Sequence, residues 1–299
     1  MFTTAVILVN WNGKDVTLDC IQSLRESQDG TFDILLVDNA STDDSIEAIT
    51  RRYPEIVIIQ NSENLGFTGG NNVGIGYALD RSYEFIMLLN NDTFVEKKAV
   101  STLREYLISR PEISAVQPKI NFHHDRSMIW NAGGIVNKYT GLVQIRGYGN
   151  HLSKGRDDFT PGWLTGCCIM SRAEAWRTVG LLNSEYFAYY EDLEWSLRLR
   201  RSNLKLDYYP ETLVYHIAGA TSEESEKQAE GFIRPIIHYY SFRNYVRTLR
   251  IHRDFFFGPS VWAIMCMKFL AFFIYFLLRG RFQKLRMLVN GLKDGLKPL

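Results

Sequence analysis

The chain has 299 residues, 46% of them hydrophobic, four cysteines and a formal net charge of +1. That is enough for one large α/β domain with additions, and the balanced charge excludes the basic excess of a nucleic-acid binder, so no nucleic acid is expected among its partners. Cys20, Cys167, Cys168 and Cys266 have neither CxxC spacing nor a histidine pattern, which predicts buried thiols in a reducing compartment instead of a disulfide frame or zinc site.

Met1-Phe2-Thr3-Thr4 leads into an apolar run without the basic region and cleavage site of a secretory leader. Ala5–Asn10 reads as a first strand, and Val16, Cys20, Ile21 and Leu24 mark a helix over Asp15–Arg25. Ile34–Val37 reads as a strand before a helix from about Asp44. Ile56–Ile59 reads as a third strand before a helix led by the glycines at 66–74. Phe85–Leu89 is the fourth strand, followed by a helix over Lys97–Ser109. Four βα units predict a parallel sheet with flanking helices.

The second part is mixed. Residues 120–160 are polar and Gly-rich. Leu164–Met170, Leu204–Tyr209 and Thr212–Tyr215 read as strands, and Ala173–Val179 and Leu193–Arg201 as short helices. Ala218–Glu230 reads as a mobile polar loop, and Phe232–Arg250 as a long aromatic helix.

Each of the first four strands ends in polar residues: Asn10-Trp11-Asn12, Asp38-Asn39, Gln60-Asn61 with Asn64, and Asn90-Asn91-Asp92. A parallel sheet gathers these ends on one edge, where open α/β sheets bind ligands. Asn90-Asn91-Asp92 reads as a turn or as oxygen ligands for Mn²⁺ or Mg²⁺. Asp38 suits a base imide or ribose hydroxyl, because a carboxylate only accepts hydrogen bonds. Asp43 and Ser41 read as helix caps. Gly66, Gly70 and Asn71 lie in a glycine-rich helix start without the GxGxxG or GxxxxGK[ST] spacing, so a Rossmann dinucleotide site and a P-loop are both excluded.

Glu191 and Asp192 sit among Tyr189, Tyr190 and Trp195, surroundings that raise a carboxylate pKa towards general-base duty. Helix-dipole capping is the alternative, and Glu194 with Arg198 reads as a surface i,i+4 pair. His216 closes a strand and can complete a metal site begun by carboxylate oxygen. Arg243 can offer a cation to a diphosphate or simply pack in its helix.

These segments occur together and in order: Val9-Asn10-Trp11-Asn12-Gly13, Val37 to Asp43, Asn61 to Gly74, Leu88 to Thr93, Glu191-Asp192 and His216. Over roughly residues 4–250 the chain resembles the family 2 inverting glycosyltransferases of GT-A fold, especially the bacterial rhamnosyltransferase-like branch. The resemblance implies a GT-A domain over 1–250, with a nucleotide-binding half (1–118) and an acceptor-binding half (119–250). It implies that Asp38 and its strand-end neighbours hold the nucleoside and that Asp92 stands at the last acid of a DxD-type metal motif. Asn90 replaces the first acid, and Asp192 stands at the general base. The implied donor is a nucleoside-diphosphate sugar, dTDP- or UDP-linked, with dTDP-rhamnose favoured. A polyprenyl phosphate acceptor and an inactive sugar-nucleotide- or glycan-binding subunit are the alternatives. Gln283 to Met287 (QKLRM) lacks the Trp of the processive QxxRW motif, so transfer of one or very few sugars is expected.

Residues 251–299 read as membrane-associated helices. Phe255–Leu278 carries only Lys268 as a charge and is long enough to cross a bilayer, which takes about 20 residues. Basic residues on both sides argue against a single span. Peripheral or monotopic attachment to the cytoplasmic face is expected, with Phe282, Leu285, Leu288, Val289 and Leu292 forming an amphipathic surface helix. A homo-oligomer interface is the other use of such a segment. The attachment suits a lipid-linked saccharide acceptor.

Overall fold

The computed structural model describes residues 3–27, 32–151, 159–218, 223–228 and 230–298. The first half runs β1 (Thr4–Asn10), α1 (Lys14–Arg25), β2 (Asp33–Asp38), α2 (Ser45–Arg52), β3 (Val57–Gln60), α3 (Gly66–Asp80), β4 (Phe85–Leu89), β5 (Thr93–Val95) and α4 (Ala99–Ser109). Then come β6 (Ile113–Phe122), β7 (Ile129–Asn131), β8 (Gly134–Val136), β9 (Val143–Ile145), β10 (Cys168–Arg172), α5 (Ala173–Val179) and α6 (Glu191–Arg201). β11 (Lys205–His216), β12 (Glu223–Gln228), β13 (Gly231–Ile233), α7 (Pro235–Ile251), α8 (Gly258–Leu278) and α9 (Phe282–Leu296) complete the chain.

Among these residues the main sheet has the order β3-β2-β1-β4-β10-β6-β11-β5, with β7 on β6. β1 is the first strand in sequence yet lies inside the sheet, between β2 and β4 and parallel to both. The chain therefore reverses its direction of growth beside β1, the place where open α/β sheets form a ligand crevice. Alternation along β1 buries Val6 and Leu8 under α1 and α4, and Ala5 and Ile7 under α3. Gly74 lets α3 approach this closely: a Cβ there would stand 2.5 Å from Ile7 Cγ2 and 3.2 Å from Val37 Cγ2. Gly74→Val is expected to destabilise the fold by about 2 kcal/mol, as overpacking does, and urea unfolding measures it.

The parallel βα repeat stops after β4. β10 inserts antiparallel between β4 and β6, β11 runs parallel to β6, and β5 is an antiparallel edge. The two expected strands over 204–215 are one strand, β11, with an irregularity between Tyr209 and Thr212 at Pro210. Pro118 of β6 pairs with Tyr209 at that irregularity, so the missing amide donors of the two prolines fall where the ladder is already broken. Residue 118 lies inside β6, so the halves 1–118 and 119–250 share one sheet. Of the polar loop 218–230, residues 219–222 and 229 lie outside the described residues. Glu223–Gln228 pairs with β13 as a hairpin within the segment read as a mobile polar loop.

The C-terminal helices also depart from expectation. α9 docks on α7: a Cβ at Gly291 would meet Tyr239 O at 2.7 Å, and one at Gly295 would meet Val246 Cβ at 2.8 Å. Its Leu285, Leu288 and Leu292 join a cluster with Phe242, Tyr245 and Val246 of α7. The apolar face expected at a membrane surface is thus covered by protein, and Phe282 alone of the five is strongly exposed. Cys20, Cys167 and Cys168 are buried, but Cys266 of α8 is exposed, because it lies off the stripe (Val261, Met265, Phe276) that faces the domain.

Candidate active site

At the carboxyl edge of the sheet, β4 delivers Asn90-Asn91-Asp92 and β11 delivers His216. Asp92 and His216 are both buried, and His216 Nε2 lies 3.1 Å from Asp92 Oδ1. The approach is not that of a hydrogen bond, since Asp92 Oδ1 is left without a hydrogen-bond partner. Asn90 Oδ1 is likewise buried without one. Buried polar atoms are ordinarily satisfied, so such a group signals a missing occupant. A carboxylate, an imidazole and an amide oxygen form a donor set for Mn²⁺ or Mg²⁺. No group of three His, Cys, Asp or Glu converges among the described residues, so the set here consists of two such residues and an amide oxygen.

Asp192 opens α6, with Oδ2 accepting from Gly166 N at 2.9 Å and Oδ1 from Leu193 N at 2.7 Å. Burial pushes its pKa up to about 6 against the pull of these amides. For Glu191 burial and the neighbouring Asp192 outweigh its own backbone amide and carry its pKa well above the carboxylate range, and its Oε2 is unpartnered. The pair thus divides into a solvated-by-amide carboxylate and a proton-retaining neighbour. The two positions reflect backbone geometry as well. Tyr189 and Tyr190 have φ of 70° and 73°, two consecutive bulky residues in the left-handed region, which is strained.

Asn244 holds that strained turn. Fully buried on α7, its Nδ2 donates to Ala188 O at 2.8 Å and Tyr189 O at 2.7 Å. Sequence reasoning missed it beside Arg243. Arg243 does not reach the site: Nη2 donates to Glu185 O, Nε to Asn244 Oδ1, and the guanidinium packs on Tyr239 and Tyr240. Arg234, at the start of α7, lines the smaller lobe of the cleft instead. Asn244→Leu is expected to lower kcat by about thirtyfold, since losing two buried hydrogen bonds costs about 2 kcal/mol in placing Asp192. Steady-state kinetics check this, with KM for the donor unchanged. Glu194 and Arg198 are not a surface pair, because Glu194 is buried and shared with His252.

The cleft has two lobes that share Phe67, Asn90, Asp92, Ala188 and Tyr189. The smaller, about 340 Å³, adds Trp11, Asn39, Asn64, Gly66, Asn71 and Asn91, walled by the Phe187–Tyr240 stack. The larger, about 770 Å³, holds Glu191, Asp192 and His216, with Trp130, Tyr148 and Trp163. Trp130 and Tyr148 come from the polar, Gly-rich stretch 120–160, where no site signal was legible.

Besides Arg243, four expected contacts line neither lobe. Asn10 is fully buried, donating to Asp38 Oδ1, Ser41 Oγ and Ser45 Oγ, and accepting from Thr17. Asn12 accepts from Thr42 N and Asp43 N. Asp38 accepts from Asn10, Ser41 Oγ and Ser41 N, leaving one Oδ2 lone pair for a ligand. Gly70 supports Asn39, whose Nδ2 would lie 3.0 Å from a Cβ there. Asn39 in turn bonds Gly66 O and Asn61. The strand-end amides therefore serve mainly to brace one another.

A mixed sheet with a two-lobed cleft at the switch beside β1, an acid–imidazole pair on one wall and a raised carboxylate on the other, is the arrangement of a group-transfer enzyme on a GT-A-like fold. Residues 5–176 match Glycosyl transferase family 2, and the chain belongs to that family. It is 27% identical over 206 residues to a low-salt glycan biosynthesis hexosyltransferase of Haloferax volcanii, covering 68% of this chain and 63% of the relative's length. It is 25% identical over 222 residues to an N-acetylglucosaminyl-diphospho-decaprenol L-rhamnosyltransferase of Mycobacterium tuberculosis, covering 66% of this chain and 70% of that protein. Among solved structures, GalNAc-T7 with UDP, GalNAc and Mn²⁺ superposes with a TM-score of 0.63 at 16% identity, over 84% of this chain and 48% of that one. The likeness supports the GT-A-type fold.

Proposed function

We propose that this glycosyltransferase moves one hexose from a nucleoside-diphosphate sugar to a hydroxyl of a lipid-linked saccharide, with inversion and with Mn²⁺ or Mg²⁺. The chain works in this reading at the cytoplasmic face of a membrane, in surface-polysaccharide synthesis. The observation that carries it is Asp192: a carboxylate fixed by two backbone amides, its pKa near 6, in the same lobe as Asp92 and His216. A base poised just below working pH is suited to take the acceptor proton.

The donor's sugar and diphosphate occupy the smaller lobe, and the acceptor enters the larger one past Trp130 and Tyr148. Asp192 accepts the acceptor hydroxyl's proton as that oxygen bonds to the anomeric carbon, and the bond to the diphosphate breaks on the opposite face. Asp92, His216 and Asn90 would hold the divalent ion, which when bound offsets charge on the departing nucleoside diphosphate. Arg234 lends further positive charge to that lobe. L-Rhamnose is the favoured sugar: a relative carries it, and the stacked Phe187–Tyr240 wall with Ile236 and Ile237 suits a methyl group at C6.

The test is a donor panel (dTDP-rhamnose, UDP-glucose, UDP-galactose, UDP-N-acetylglucosamine) with polyprenyl-diphospho-N-acetylglucosamine. Product NMR reads the anomeric configuration. Retention of configuration would sink the mechanism, and binding of a donor without turnover on any acceptor would favour an inactive binding subunit.

A further inference from the structure

The hairpin of β8 and β9 joins the larger lobe to the start of α8. Val143, Gln144 and Ile145 of β9 line that lobe. At the other end, residues 137–142 form a tight turn in which Asn137 Oδ1 accepts from Tyr139 N and Thr140 N. The turn is tied to α8: Phe257 N donates to Lys138 O at 2.8 Å, and Ser260 Oγ donates to Tyr139 O. A Cβ on Gly141 would stand 2.9 Å from Val261 Cγ1, so no gap separates them.

In this rigid junction two large rings are left in solvent. Tyr139 is 57% and Phe257 56% exposed, with ring centroids 6.2 Å apart and Lys138 Nζ 5.0 Å from the Tyr139 ring. The apolar exposure continues along α8. Ala263, Met267, Leu270, Ile274 and Leu277 are exposed at helical spacing, while Val261, Met265 and Phe276 face the domain. At about 1.5 Å per residue the helix is roughly 31 Å long. With Val261, Met265 and Phe276 on the domain and most of its other side chains bare, the helix is placed to lie along an apolar surface. The occupant of that bare face should carry negative charge, because residues 251–299 hold eight lysines and arginines against Asp254 and Asp294. Asp254 is itself paired with Arg201.

We infer that the β8–β9 turn is an interfacial finger: Tyr139 and Phe257 enter the headgroup region of an anionic bilayer beside α8 and set the acceptor lobe's mouth at that surface. The inference deepens the lipid-linked reading of the acceptor. Tyr and Lys at an apolar edge place an aromatic body among acyl carbons and a polar tip among headgroups.

The test uses the full chain with vesicles of phosphatidylglycerol and phosphatidylethanolamine. Sedimentation should show binding that weakens at least tenfold in the variant Tyr139→Ser with Phe257→Ser and is restored in part by Tyr139→Phe with native Phe257. Transfer to polyprenyl-diphospho-N-acetylglucosamine in those vesicles should fall with it, while donor hydrolysis in solution stays unchanged. Equal vesicle affinity in wild type and the double variant would overturn the finger. So would a wild type that ignores vesicles and forms a dimer broken by the double substitution, which would give the face to a second copy. Vesicle binding that responds as expected, in a wild type that turns over no donor, would leave the finger standing and sink the enzymatic reading.

Discussion

Asp192→Asn is expected to lower kcat about a thousandfold while leaving donor affinity within about twofold, as removal of a general base does when the binding lobe is untouched. Asn keeps the side chain's shape but has no lone-pair charge to take a proton, and its NH2 faces an amide that the carboxylate oxygen had satisfied, Gly166 N or Leu193 N. Titration of UDP or dTDP against the variant separates binding from turnover. The pH profile supplies an independent readout. Activity needs the deprotonated carboxylate, so kcat should rise through pH 6 and level off above pH 7, following the pKa of about 6. Stability runs the other way. A carboxyl with its folded pKa above the ordinary 3.8 binds more protons folded than unfolded between those values, so the native state loses stability as pH rises through about 4 to 6. Asp192→Asn escapes that loss, so its urea midpoint relative to wild type should improve from pH 4 to pH 7. A flat kcat profile across pH 5 to 7 would remove Asp192 from the base role.

The parts legible in the sequence were those whose signal is local. β1 to β4 each show an apolar run closed by polar residues, and their helices carry an apolar period, so the parallel half and its ligand-facing edge followed directly. β6 did not, because Ser114, Gln117, Pro118, Lys119 and Asn121 look like loop. They form a strand because β10 and β11 cover both edges and the irregularity at Pro210 faces Pro118. β10 was legible as a strand within Leu164–Met170, but its antiparallel direction was not, because pairing direction is a long-range choice that no residue of Cys168–Arg172 declares.

The structure gathers Asp92, Asp192 and His216 in one lobe, and they drew attention in the sequence because acid and imidazole types at strand and helix ends carry their chemistry in their identity. Asn244 and Arg234 were not, since their value comes from where α7 docks. Asn10 and Asn12 show the converse. Their amides suggested ligand contacts, yet both bond the 38–45 turn: buried Asn10 must satisfy its amide there, and exposed Asn12 caps the amides of Thr42 and Asp43. α9 misled similarly, since an apolar face with basic flanks fits a membrane or a neighbouring helix equally, and Gly291 and Gly295 turn it towards α7.

Asp92→Ala is expected to cut kcat/KM by about a thousandfold and His216→Ala by about tenfold to a hundredfold, the range for losing a ligand or its partner. The difference follows from charge and position. Among the described residues Asp92 supplies the one carboxylate at the shared wall of the two lobes, and its Oδ1 has no hydrogen-bond partner to compensate. His216 is neutral as a ligand, and its ring is already fixed edge-on to Trp130 at 4.3 Å, so its removal leaves a space that water can fill. A readout besides activity separates metal binding from folding. Electron paramagnetic resonance of Mn²⁺ with UDP should show an immobilised ion with the wild type and a free one with Asp92→Ala at equal thermal midpoints. Asn90→Asp should act oppositely, because it restores a second carboxylate beside Asp92 and should tighten Mn²⁺ binding. If the UDP–Mn²⁺ signal is the same with and without Asp92, the ion is not held at this wall, and the unpartnered oxygens of Asp92 and Asn90 answer to some other ligand.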